Sequence, residues 1–380
     1  MRERKYIPIP ELMQAYSLLK KGDKNSNLAA QRIIFGTEKI SFEAKGSVSD
    51  CYIQWLQCAL QDAIILELAT LPPYLTAMWT IKDSSSPVYN RFSSIFRDEM
   101  SHMGMACNLL AALEGEPSVT GQDVVPQYPG PLPGGIDPAP DFEVKLQRLT
   151  RYAIRDFRII ERPKFEILPL PDSDDLVPLP DPPDSNGDPT IGDFYDAIKA
   201  CVESNVQDGD IKQERQIEYI YVTKVTTKQE FLDAIDKIVR EGEGLADSPK
   251  NPSDYAHYYK FTEIACGKQI VENATGNWAY SGATIPFPSD EDVYPMADVP
   301  PDGYDIPEAF DFDRIYSEML CCIEKAWMEV DESHLRTAVN KMRDLQGLAQ
   351  ELMQIPIDGS YETYGPCWRY DDTASCPDSG

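Results

Sequence analysis

Histidine is nearly missing from this chain: three occur in 380 residues, at positions 102, 257 and 334. Positive charge is scarce too, with 35 Lys and Arg against 63 Asp and Glu, a formal net charge of −28. Such a surface repels nucleic acid and anionic membranes, so neither is expected as a partner. No apolar run reaches the roughly 18 residues of a membrane span. The opening MRERKYIPIPELMQ puts Pro8 and Pro10 where a signal peptide needs an apolar helix, so a cytoplasmic protein is expected. Nine cysteines include no CxxC, which disfavours a structural zinc site. Their odd number, with Cys321 and Cys322 adjacent, does not resemble the disulfide framework of a small secreted domain. Reduced, mostly buried thiols are expected instead.

The composition is globular, with 42% apolar and 10% aromatic residues. Three stretches interrupt its regular pattern. Residues 126–140 hold six prolines; residues 168–190 hold seven prolines and six acids; residues 285–313 hold six prolines and nine acids. Proline fixes φ and removes a donor, so these read as loops around a core. Segments 168–190, 285–313 and 358–380 together carry −19 of the −28. The acidity therefore belongs mainly to loops and tail and describes solubility.

Between the loops the apolar spacing is helical. It predicts one helix from Cys51 to about Ile81, with Pro72 and Pro73 marking a kink or local break, and another from Val88 to Leu113 stopped at LEGEP. Further helices are expected at 191–204, 227–243, 253–272, 312–329 and 333–354, the second of these opening with a Thr227/Glu230 capping box. Residues 145–154, 158–168 and 217–225 read as extended pieces that could pair as a small sheet. Residues 1–50 read as an N-terminal extension, 51–356 as a helical bundle with loops inserted at 118–190 and 280–312, and 357–380 as a tail packing on the bundle. The fold class is mainly α: a bundle whose long helices carry polar groups inward.

Two places carry chemistry. In AIILELATL, Glu67 sits in a run that is apolar on every side of the helix. A lone buried carboxylate costs several kcal/mol unless it is protonated or paired, so it needs a cation or a donor. In FRDEMSHMGMACNLL, Glu99 and His102 are three apart on one helical face, among Met100, Met103, Met105 and Cys107. Glu-x-x-His facing inward, beside a Glu from a neighbouring helix, is half of a di-iron carboxylate site. Its oxygen and imidazole donors suit iron or manganese. The bland alternative is a surface Glu and a satisfied core His. The second half needs an acid and a histidine from two more helices: IVREGEG offers Glu241 and Glu243, and SDYAHYYKF offers His257, with Asp254 three residues before it and Glu263 further along. Antiparallel packing would let Glu243 and His257 meet, while spacing leaves the choice among these acids open. His334, at a helix start capped by Asp331 or Ser333, is expected to be solvated. Tyr74, Trp79, Tyr258 and Phe261 could line an apolar pocket.

LQDAIILELATLPPYLTAMWTIK followed by IFRDEMSHMGMACNLLAALEGEP resembles the ferritin-like domain of iminophenylpyruvate dimer synthases from bisindole biosynthesis and of many microbial and fungal proteins. YPGPLPGG, IERPKFE, PTIGDFYDAI, IVREGEG, AHYYKFTEIACGK, MRDLQGLAQELMQIPID and YGPCWRY continue the likeness in order, over most of residues 50–370. The resemblance implies a ferritin-like four-helix bundle with additional helices and metal ligation by Glu67, Glu99, His102, Glu243 and His257. It implies one or two non-haem iron ions, or manganese, acting with dioxygen or peroxide on a small, aromatic amino-acid-derived substrate in secondary metabolism, and a homo-oligomer is compatible with it. The dimer synthases are far longer chains, so the coupling of two imines is not carried over. A non-catalytic metal-binding scaffold and a haem enzyme with His102 or His257 as axial ligand are the alternatives.

Overall fold

The computed structural model describes residues 7–35, 48–163, 168–171, 176–180, 189–242, 255–272, 274 and 276–377. In chain order the elements are α1 (Ile9–Lys21), α2 (Lys24–Phe35), α3 (Val48–Trp79), α4 (Pro87–Ala112), α5 (Arg151–Ile160), α6 (Ile191–Asn205), α7 (Lys228–Glu241), α8 (His257–Cys266), β1 (Lys268–Glu272), β2 (Trp278–Thr284), α9 (Pro307–Glu329) and α10 (Ser333–Leu352). The mainly α expectation is what the molecule shows.

The bundle that holds the site is made of two helix pairs, α3 against α4 and α5 against α8, joined where α4 packs on α8. Helix α3 runs unbroken through Pro72 and Pro73. Proline at 73 cannot donate to the carbonyl of Ala69, and the Tyr128 hydroxyl donates to that carbonyl instead, at 2.7 Å. The following helix opens with Ser86 accepting from the Tyr89 amide and with Pro87 at its first position. In its interior, Gly104 leaves room for the Val222 side chain, which a Cβ there would strike; the loop before α7 can thus lie directly on α4.

Other helices wrap this centre. The stretch read as an N-terminal extension forms α1 and α2, and α1 packs on α3 and α6, with Trp55 stacked on Tyr16 and donating to the Leu12 carbonyl. The pair α9 and α10 packs together and α10 rests on α3. The Thr227/Glu230 capping box forms as expected.

Three local expectations are corrected. The extended pieces expected at 145–154 and 158–168 overlap α5 instead, because Thr150 caps its start and Ala153, Ile154, Phe157 and Ile160 make one buried stripe. The helix expected over 253–272 ends at Cys266: Gly267 takes φ +66° as a left-handed cap, and the chain turns into the β1–β2 hairpin. Among the cysteines, Cys322 and Cys376 are disulfide-bonded, and seven are free thiols.

Candidate metal centre

Glu67 leaves the middle of α3 and Glu99 and His102 leave the middle of α4; all three are buried. Glu161 caps the end of α5, and His257 is the first residue of α8, fully enclosed. These five side chains converge in two overlapping groups, Glu67–Glu99–His102 and Glu99–Glu161–His257, the donor atoms of each group lying within 4.8 Å of one another. Glu99 belongs to both. The two imidazoles lie side by side with ring centroids 5.6 Å apart.

Each imidazole has an inner and an outer nitrogen. His102 Nδ1 is 3.5 Å from Glu67 Oε2, and its Nε2 is hydrogen-bonded to Glu241 Oε2 at 2.9 Å. His257 Nδ1 is 2.8 Å from Glu99 Oε1 and 3.7 Å from Glu161 Oε2, while its Nε2 faces Asp98 Oδ2 at 3.5 Å. Asp98 in turn pairs with Lys260 at 2.5 Å. An outer carboxylate on the far nitrogen fixes the ring and raises its basicity, the usual support of a metal-binding imidazole. The inner carboxylates are held as well. The Tyr195 hydroxyl donates to Glu67 Oε1 at 2.6 Å, Tyr74 donates to Glu161 Oε1 at 2.5 Å, and the Thr70 hydroxyl lies 3.0 Å from Glu99 Oε2.

Burial and crowding displace the acid–base equilibria. Burial pushes Glu99 up to about 8, with the neighbouring Glu161 charge adding to it and His257 opposing it. Burial also raises Glu67, but the His102 and Tyr195 contacts outweigh it and leave the carboxyl lowered. In His102, burial favours the neutral ring, yet the bonds to Glu241 and Glu67 carry it up to about 9. His257 is raised for the same kind of reason, chiefly by Glu99. The histidine protons thus offset part of the carboxylate charge, a role that a metal cation would take over.

The donor set fits such a cation. Both nitrogens of His257 are buried and neither makes an aligned hydrogen bond, although carboxylate oxygens stand on either side. The di-iron carboxylate pattern has four carboxylates and two imidazoles, and the two groups supply three of the former and both of the latter. A cavity of about 50 Å³ borders Glu67, Glu99 and Glu161.

Of the acids considered from the sequence, Glu67 and Glu99 stand in the cluster with His102 and His257. Glu243 and Asp254 lie outside the described residues. Glu241 sits on the outer nitrogen of His102. Glu263 is turned away, held by Arg91 at 2.6 Å and by Tyr255. Glu161 lies in a segment whose spacing suggests an extended piece; in the helical register it follows Ile154 and Phe157 on the buried face of an amphipathic α5, not in an all-round apolar run like that of Glu67. The aromatic residues do not line the cavity: Tyr74 packs edge-on against Phe157 and Phe261, and Trp79 stacks on Trp368. His334, expected in solvent, is buried against Glu329 at 2.9 Å.

Fold and cluster together define a helical-bundle protein with a buried carboxylate and imidazole centre able to hold metal. The ferritin-like family matches the chain over residues 60–266, a segment containing every residue of both groups, and the chain belongs to that family. Among solved structures, the crystal structure of a ferritin-like protein from Caulobacter vibrioides superposes with a TM-score of 0.56 at 22% identity, covering 83% of this chain and 97% of that one. That likeness is one of fold. Comparison with curated proteins gives no match. No helix among the described residues is long and apolar enough to cross a membrane.

Proposed function

We propose that the protein is a non-haem, two-metal oxidoreductase that holds iron, with manganese as the alternative, and uses dioxygen or peroxide to oxidise a small organic molecule. The observation that carries this reading is the sharing of Glu99 between two buried groups, each with one histidine of its own. Glu67, Glu99 and Glu161 would hold the ions together with the inner nitrogens of His102 and His257, and Asp98 and Glu241 would keep the rings in place. Bound there, the ions would supply redox chemistry with dioxygen. The residues around them exclude bulk water, fix the carboxylates through Tyr74, Thr70 and Tyr195, and leave the cavity on the carboxylate side.

The haem alternative has less support, since both imidazoles face carboxylates on each side and the adjoining cavity is far smaller than a porphyrin. The scaffold alternative is separated by experiment. Anaerobic loading with ferrous iron should give two equivalents per chain, followed on exposure to oxygen by a near-ultraviolet charge-transfer band and oxygen uptake. Iron held without oxygen uptake, or no iron held at all, would mean the scaffold reading, and a strong Soret band would mean haem.

A further inference from the structure

The cavity beside the carboxylates speaks to the substrate, and what it says rests on the redox reading above. Its aliphatic walls come from Leu66 on α3, Leu132, Ile160 on α5, Ile191 on α6, and Ile238 and Val239 on α7. Its polar lining consists of the three cluster carboxylates, Thr70 and Tyr195. Both hydroxyls are engaged, Thr70 with Glu99 and the Glu67 carbonyl, Tyr195 with Glu67. Among the described residues that line it, there is no Lys, Arg or His.

Size and charge then decide together. The volume is about 50 Å³, whereas a cavity that takes benzene measures about 150 Å³ and a water-sized probe needs roughly 10–15 Å³. An aromatic ring needs about three times this space, which holds about four water-sized atoms. With the three carboxylates engaged by metal, the described lining residues offer a substrate carboxylate no Lys or Arg to replace its hydration. It could enter only by ligating the metal, taking the position that dioxygen needs.

We infer that the molecule oxidised at this site is small, uncharged and largely aliphatic, and that Ile238 and Ile191 set its size. This departs from the aromatic, amino-acid-derived acid that the sequence resemblance implies. Helix α7 then has two roles, since it walls the cavity with Ile238 and steadies His102 with Glu241.

The test uses the full chain, metal-free and iron-loaded, with iron content measured in parallel. Xenon reports the cavity through its NMR shift, and 1-propanol, propionate and phenylpyruvate are titrated against thermal stability and the charge-transfer band. Saturable binding of xenon and 1-propanol is expected, with propionate and phenylpyruvate at least tenfold weaker. Ile238→Phe and, from a different helix, Ile191→Phe should each weaken xenon and propanol binding at least tenfold with iron content unchanged. Phenylpyruvate or propionate binding as tightly as propanol to chains that hold two irons would overturn the inference and leave the redox reading standing. Chains that take up no iron on loading, yet keep the propanol preference and its loss in both variants, would overturn the redox reading alone.

Discussion

Glu99 on α4 and His257 at the start of α8 meet at 2.8 Å, Oε1 to Nδ1, inside the bundle. The other oxygen of Glu99 stands toward Thr70 on α3, so one carboxylate joins the two helix pairs. Glu99 is also the member common to both donor groups. Glu99→Gln should therefore abolish binding of both metals, whereas Glu67→Gln or Glu161→Gln should each leave one equivalent with reduced affinity. Metal analysis after iron loading, with circular dichroism to verify the helices, distinguishes these outcomes. Two equivalents retained by Glu99→Gln would refute the shared-ligand geometry.

The outer carboxylates should matter nearly as much as the ligands. Asp98 and Glu241 face the far nitrogens of His257 and His102. Loss of such a partner typically lowers metal affinity by about 10–100-fold. Asp98→Asn and Glu241→Gln are expected to do so in chelator competition, without a change in helical content. Affinities equal to the wild type would mean that the rings are fixed by packing alone.

A pH dependence follows from Asp62, outside the cluster on α3. Its side chain is buried, Oδ2 has no hydrogen-bond partner, and burial raises its pKa well above the ordinary value. The folded state therefore favours the protonated acid. Between the unfolded pKa and the raised folded one, the native chain binds more protons than the unfolded chain, so this group makes stability fall as pH rises. Asp62→Asn, neutral throughout, should flatten that fall and stabilise the protein at pH 8 by on the order of 1 kcal/mol or more. Parallel melting curves of wild type and variant from pH 4 to 8 would contradict it.

The C-terminal segment is held by chemistry that can be removed. Cys376 is bonded to Cys322 on α9, and Trp368 stacks on Trp79 at 5.5 Å while its indole donates to Thr76 at 2.8 Å. Closing a loop of this length is worth about 2–4 kcal/mol, and truncating a buried Trp costs about 3–5 kcal/mol. Cys376→Ser should lower stability by the first amount and Trp368→Ala by the second, read by denaturant unfolding. If a reducing agent lowers the wild-type midpoint as far as Cys376→Ser does, the loss is due to the cross-link itself.

Much of this molecule is written locally. The apolar run around Glu67, the Glu99/His102 spacing on one helical face and the scarcity of histidine are properties of the sequence alone. They sufficed for the helical class, the first donor group and the need for carboxylates to dominate, because a helix fixes which side chains share a face and a buried charge needs a partner wherever it occurs. Tertiary structure decided the rest. Glu161 joins the site only because Thr150 starts a helix that a loop-like reading of its segment hides, and α5 then packs on α8. Glu241 and Glu263 look alike in sequence, yet one steadies His102 and the other pairs with Arg91, since that choice depends on which helix lies opposite. The Cys322–Cys376 bond and the burial of His334 likewise come from how the tail returns to α9 and α10, a long-range closure that no local pattern specifies.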